Sequence, residues 1–108
     1  MGALGTQQAK EALLTMLKDD IVEVRLAAAQ ELGNLGDITG EKEVLGALTQ
    51  GVAEASDQQE KEGIYMLSAL AIGEIKTPAL KKILPELLKN ESPFVKIAAA
   101  KAVFQCFE

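Results

Sequence analysis

Apolar residues recur every three or four positions along most of the chain, and clusters of polar, Gly and Pro residues interrupt the recurrence. Leu13, Leu14 and Leu17 lie on one helical stripe, predicting a helix over residues 7–18 with Thr6 as its N-cap. Asp19 and Asp20 end it and cap a second helix over 21–35, where Ala27-Ala28-Ala29 lets a neighbouring helix approach closely. Gly36 stands where a left-handed residue closes that helix. Val44, Leu45, Leu48 and Val52 give a third helix over 41–54, weakened at Gly46 and Gly51. Ser56 or Asp57 caps a fourth that runs to Ile75, and Asp57 with Glu60 has the spacing of a capping box. Thr77-Pro78 and Ser92-Pro93 are cap-then-Pro starts for a fifth helix to Lys89 and a sixth to Phe107. Pro85 predicts a kink in the fifth, because it deletes one backbone hydrogen bond. Alternation of period two is absent over any useful length, so the pattern predicts an all-α fold of six helices.

The pattern also repeats. Ala12 to Ala29 reads ALLTMLKDDIVEVRLAAA, and Ile83 to Ala100 reads ILPELLKNESPFVKIAAA, at an offset of 71 without a gap. Ile72-Gly73-Glu74-Ile75 matches Leu32-Gly33-Asn34-Leu35 at an offset of 40. Self-similarity at fixed offsets marks a repeat array. The helices therefore pair as hairpins within one repeat domain, with units over about 6–37, 40–76 and 77–107. The offsets place about nine extra residues in the middle unit, within Thr49 to Gln59.

Composition narrows the partners. Hydrophobic residues are 48% of the 108 and aromatics only 4%, so the core must be built from Leu, Ile, Val and Ala. The net charge of −5 argues against nucleic acid and anionic membrane surfaces. It is unevenly spread: residues 1–39 carry three basic and six acidic side chains, residues 40–77 three and seven, and residues 78–108 five and three. An acidic front and a basic back could steer head-to-tail contact or an acidic ligand. One Cys, no membrane-length apolar run and no secretory-type start predict a cytoplasmic protein. Met1-Gly2-Ala3-Leu4-Gly5-Thr6 fits the N-myristoylation pattern, a motif too short to weigh by itself.

With these residues in place, the chain resembles the HEAT repeat family, and most closely its short form known from phycobilisome lyases. The resemblance rests on Val24-Arg25-Leu26-Ala27-Ala28-Ala29-Gln30-Glu31-Leu32-Gly33-Asn34-Leu35-Gly36-Asp37. Val95-Lys96-Ile97-Ala98-Ala99-Ala100 keeps the first half of that signature, the middle copy keeps its Ile-Gly-Glu-Ile ending, and Tyr65 takes the Arg position. The resemblance implies a right-handed α-α superhelix, armadillo-like, with second helices lining the concave face. It implies no reaction, because the family is mostly scaffolds and adaptors. It also implies an alternative role as an accessory or chaperone-like subunit of an enzyme complex, with the extra residues as a contact loop. Arg25, the only Arg, is open to two readings: capture of an anion or carboxylate, or a structural bond to an acidic turn residue such as Asp20 or to carbonyls of an adjacent unit.

The residue inventory points away from catalysis. There is no His, so the commonest general base and metal ligand are missing, and the lone Cys106 lacks a base partner. No metal site and no cofactor is expected. Asp19-Asp20, Glu41 with Glu43, and Glu60 with Glu62 are paired carboxylates better explained as caps and first-turn anions. The expected function is a non-enzymatic protein-binding module. Its candidate partner surface is a column across the second helices: Glu23, Gln30 and Asn34, then Leu70 and Glu74, then Phe94 and Lys101, with Leu70 and Phe94 as apolar anchors. The sixth helix is apolar nearly all round and has no following helix to cover it. Either the fifth helix and the preceding unit cover most of it, or it docks on another chain, a homo-oligomer contact with a second copy included, or it continues into a longer array.

Overall fold

The computed structural model describes the backbone of residues 3–107 and the side chains of residues 7–107. Among these residues the chain forms six helices, two of them interrupted, and no strand. The elements are α1 (Ala3–Met16), α2 (Val22–Asn34), α3 (Glu41–Gly46) continued by a π turn (Ala47–Gly51) and α4 (Val52–Glu54), α5 (Gln58–Ile75), α6 (Pro78–Lys81), α7 (Leu84–Leu88) and α8 (Pro93–Cys106). They pair as three hairpins. The second helices α2, α5 and α8 lie side by side, with α5 against both others. The result is a short α-solenoid measuring 43 × 34 × 21 Å.

The core is aliphatic. Leu26, Leu32, Ile64, Ile72, Leu80, Leu84, Val44 and Val95 are its largest fully buried side chains apart from Ser68. Close approach of the second helices depends on two equivalent glycines. A Cβ at Gly33 would lie 2.8 Å from Ile75 Cγ1 and 2.9 Å from the Glu74 and Ile75 backbone. A Cβ at Gly73 would lie 2.2 Å from Gln105 Oε1 and 3.1 Å from Ala102 Cα. Each glycine thus lets the next second helix pack against bare backbone. Of the small-residue run, Ala28 and Ala29 are buried, whereas Ala27 is exposed on the side of α2 that no earlier unit covers.

Several helix ends are as expected. Gly36 is left-handed at φ 85°. With it, Asp37 N–H donates to Leu32 O at 2.8 Å and Gly36 N–H donates to Gly33 O at 3.0 Å, a complete Schellman closure of α2. Asp57 caps α5 by accepting from Glu60 N–H at 2.8 Å, while Glu60 accepts from Ser56 N–H at 3.0 Å. Ser92 caps α8 by accepting from Val95 N–H at 3.4 Å.

Other expectations need correction. The helix of α1 begins at Ala3, so Thr6 lies inside it and does not cap it. Met1 and Gly2 of the lipidation pattern lie outside the described residues. Ile21, not an Asp, is the N-cap residue of α2; Asp19 instead accepts from Ile21 N–H at 2.8 Å, turning the chain between α1 and α2. Thr77 is the N-cap of α6 by position, but its hydroxyl makes no capping bond. Pro85 does more than kink the fifth helix. It has no N–H for the Lys81 carbonyl, and the helix breaks into α6 and α7 at Lys82 and Ile83, with Pro85 in the first turn of α7.

The extra residues of the middle unit form no loop. Thr49 to Gln59 lies in the π turn, in α4, in a three-residue turn (55–57) and in the start of α5. A π turn absorbs an added residue without displacing the buried Val44 and Ala47 from the core. Gly46 precedes it and Gly51 ends it, and Thr49 Oγ1 donates to Leu45 O at 3.0 Å and to Gly46 O at 3.2 Å, where the widened turn loosens the usual bonds.

Candidate protein interface

The residues of the column expected across the second helices lie on α2, α5 and α8 and differ in accessibility. Glu23, Gln30, Leu70 and Glu74 are half-buried; Asn34, Phe94 and Lys101 are exposed. Leu70 packs against the core, whereas Phe94 keeps 58% of its surface open. Gln105 Nε2 donates to Glu74 Oε1 at 2.6 Å, so the α5 and α8 parts of the column are joined directly. The surface is polar on α2 and gains apolar area toward α8.

The largest apolar exposure lies on the far side of α8, beside the column. Ile97 is 68% exposed, Phe104 77% and Phe107 67%. The chain contains three Phe, and all three are on or next to α8 with more than half their surface open. Chemistry that fills most protein cores is here placed outside. The sequence signal for this face is the repeat register itself. Offsets of 40 and 31 align Gly33, Gly73 and Phe104, and align Leu26, Met66 and Ile97. Leu26 is fully buried because α5 covers it; Ile97 has no such cover.

A family model for HEAT repeats matches residues 1–68. The chain belongs to the HEAT-repeat family. No curated protein and no solved structure matches it. The matched part of this HEAT-repeat chain runs from α1 into α5. Beyond the match, Val95, Ala98 and Ala99 are buried on α8, as Ala28, Ala29 and Leu32 are on α2.

The HEAT-type Arg25 serves its own hairpin. Its Nη1 donates to Asp19 O at 2.6 Å and to Asp20 O at 3.1 Å, so of the two expected roles it takes the structural one, holding the acidic α1–α2 turn through its backbone carbonyls. The paired carboxylates point to separate tasks: Glu60 bonds the Ser56 amide, while Glu62 accepts from the Ser92 hydroxyl and ties α5 to the start of α8. Asp37, the last residue of the HEAT signature, was not singled out by sequence. It accepts from both the N–H (2.8 Å) and the hydroxyl of Thr39 and pairs with Lys10 Nζ of α1 at 3.2 Å. These donors hold its carboxyl below the usual carboxylate range, the Thr39 hydroxyl contributing most. Cys106 is half-buried against the core, and its Sγ lies 3.8 Å from Ile72 O. Burial pushes its thiol up, away from a reactive thiolate. Among the described residues no group of three or more Cys, Asp and Glu is arranged to hold a metal ion. A cleft of about 440 Å³ lies between α1 and the start of α3, lined by Leu14, Leu17, Thr39 and Glu43, apart from the column.

Proposed function

We propose that this HEAT-repeat chain is a non-catalytic protein-interaction module whose partner lies on the column of Glu23, Gln30, Asn34, Leu70, Glu74, Phe94 and Lys101, toward the α8 end. The observation that carries the reading is the exposure of Phe94, the apolar member of the column that keeps 58% of its surface open at that end. Exposed apolar surface marks interfaces, and aromatic side chains are enriched at interface cores. The reading as a non-enzyme is supported by the absence of His and by a lone thiol held in its neutral form. A chain of net charge −5 selects against nucleic acid. Among the described residues no helix is long and apolar enough to cross a membrane, and we place the protein in the cytoplasm on its single Cys. The accessory-subunit alternative, which follows from the lyase-type resemblance, placed its contact at Thr49–Gln59; those residues are largely helical, so that contact would be made by the π turn and α4 and not by a loop.

The test is recovery of a stoichiometric partner with the tagged full chain, followed by titration of the purified partner. Phe94→Ala and Lys101→Glu should each weaken binding about tenfold or more, as truncated hot spots do, with the thermal midpoint unchanged. A partner indifferent to Leu70, Phe94 and Lys101 alike would remove the column from the account.

A further inference from the structure

Resting on the reading as an interaction module, we infer that the far face of α8 is a docking site for an amphipathic helix of another protein whose apolar stripe is bordered by Asp and Glu. The centre of this face is Ile97, Ala100 and Phe104, spaced i, i+3 and i+7, with Phe107 one turn further on. Its borders are basic. Lys101 flanks it on the column side and Lys96 on the other, both exposed. Lys81 of α6 stands over the Phe107 ring, 5.4 Å from its centroid. Residues 93–107 contain no Asp or Glu, in a chain whose net charge is −5. The apolar area is sufficient. At roughly 200 Å² for a whole aromatic side chain, Ile97, Phe104 and Phe107 together leave about 400 Å² open, about half of the about 800 Å² that one partner buries in a standard interface.

Two other occupants fit less well. A second copy docked α8 to α8 would bring Lys96 and Lys101 against their own counterparts, in parallel or antiparallel alignment, because both borders carry the same sign. A further unit, or the first unit of another copy, stacked as α5 and α8 stack, needs a glycine at the register position of Gly33 and Gly73. That position in α8 is Phe104; at the equivalent Gly33 even a Cβ would meet the backbone of the next second helix at 2.9 Å. A bulky ring there props the newcomer away from the close packing used inside the stack. It suits a helix that crosses at a greater distance and inserts its own side chains beside the ring. The acidic borders then follow from charge complementarity, which sets partner choice and on-rate.

The probes are two synthetic helical peptides with the same Leu stripe, one bordered by Glu and one by Lys, each dye-labelled and titrated with the full chain by fluorescence anisotropy. The Glu-bordered peptide should bind about tenfold or more tighter at about 50 mM salt, and the preference should shrink by about 500 mM. Lys96→Glu with Lys101→Glu should reverse it. Ile97→Ser and Phe104→Ser should each cost about tenfold in affinity without lowering the thermal midpoint, because both side chains stand in solvent. Equal binding of the two peptides, no binding of either, or indifference to Ile97 and Phe104 overturns the inference. So does a dimer in sedimentation equilibrium that Phe104→Ser dissolves, since a second copy is then the occupant. A natural partner that is lost with Phe94→Ala yet unaffected by Phe104→Ser ends this inference alone and leaves the column as the binding surface.

Discussion

At the scale of single residues, the ends of helices carry much of the specification, and Asp37 shows how. It follows a left-handed Gly36, holds the Thr39 amide and hydroxyl, and reaches Lys10 on α1, so one carboxylate joins α1, the close of α2 and the turn into α3. Asp37→Ala should cost about 1 kcal/mol at pH 7, the worth of a typical hydrogen bond. The pH dependence has a definite sign. A carboxyl held below its ordinary value in the folded state stabilises fully above that ordinary value, and the contribution is lost as pH falls through the lowered one. The gap between wild type and variant in urea melts should therefore narrow below about pH 4. A gap that stays constant from neutral pH to pH 2 would contradict the assignment. Gly36 and the Asp57–Glu60 cap were legible because their chemistry is local. Arg25 was legible as a structural bond to the acidic turn, though not as a bond to its carbonyls; Thr77 was not, since whether a hydroxyl finds a given partner depends on side-chain directions that spacing does not fix.

At the scale of elements, helix approach is set by whether backbone or side chain lies in the way. At Gly33 an added Cβ meets the backbone of Glu74 and Ile75, which cannot yield; at Gly73 the nearest atom is the end of the Gln105 side chain, which can swing away. Gly33→Ala should therefore destabilise by about 1–3 kcal/mol through overpacking. Gly73→Ala should cost less than about 1 kcal/mol, offset in part by the better helix propensity of Ala. Urea melts of the two variants check this, and equal losses would contradict the packing described. Six helices, their order, the Gly36 closure and the caps at Asp57 and Ser92 could be read from apolar spacing and cap residues. The π turn could not. Apolar spacing there is still close to helical, and an added residue in a helix looks in sequence the same as one in a loop. The break at Pro85 was visible as a disturbance, but its extent depends on whether the helix on either side is held by packing, which α7 against α8 provides.

At the scale of the whole molecule, the solenoid has two unlike ends. The first unit is acidic, with Ala27, Glu31 and Asn34 exposed on α2; the last is basic, with a row of Phe and Ile on α8. The sequence revealed the uncovered sixth helix but ranked the polar column first, because column membership follows from register alone while exposure does not. Phe104 stands at the register position where Gly33 and Gly73 let the next second helix approach, so this face cannot take a neighbour at the same close distance. The central claim is that partners are bound at this Phe-bearing end. Because the chain has three Phe, fluorophenylalanine labelling gives one fluorine signal for each of Phe94, Phe104 and Phe107. On titration with the purified natural partner, the account predicts that the Phe94 and Phe104 signals shift or broaden in step with binding. Saturation with all three signals unmoved would place the partner elsewhere and contradict it.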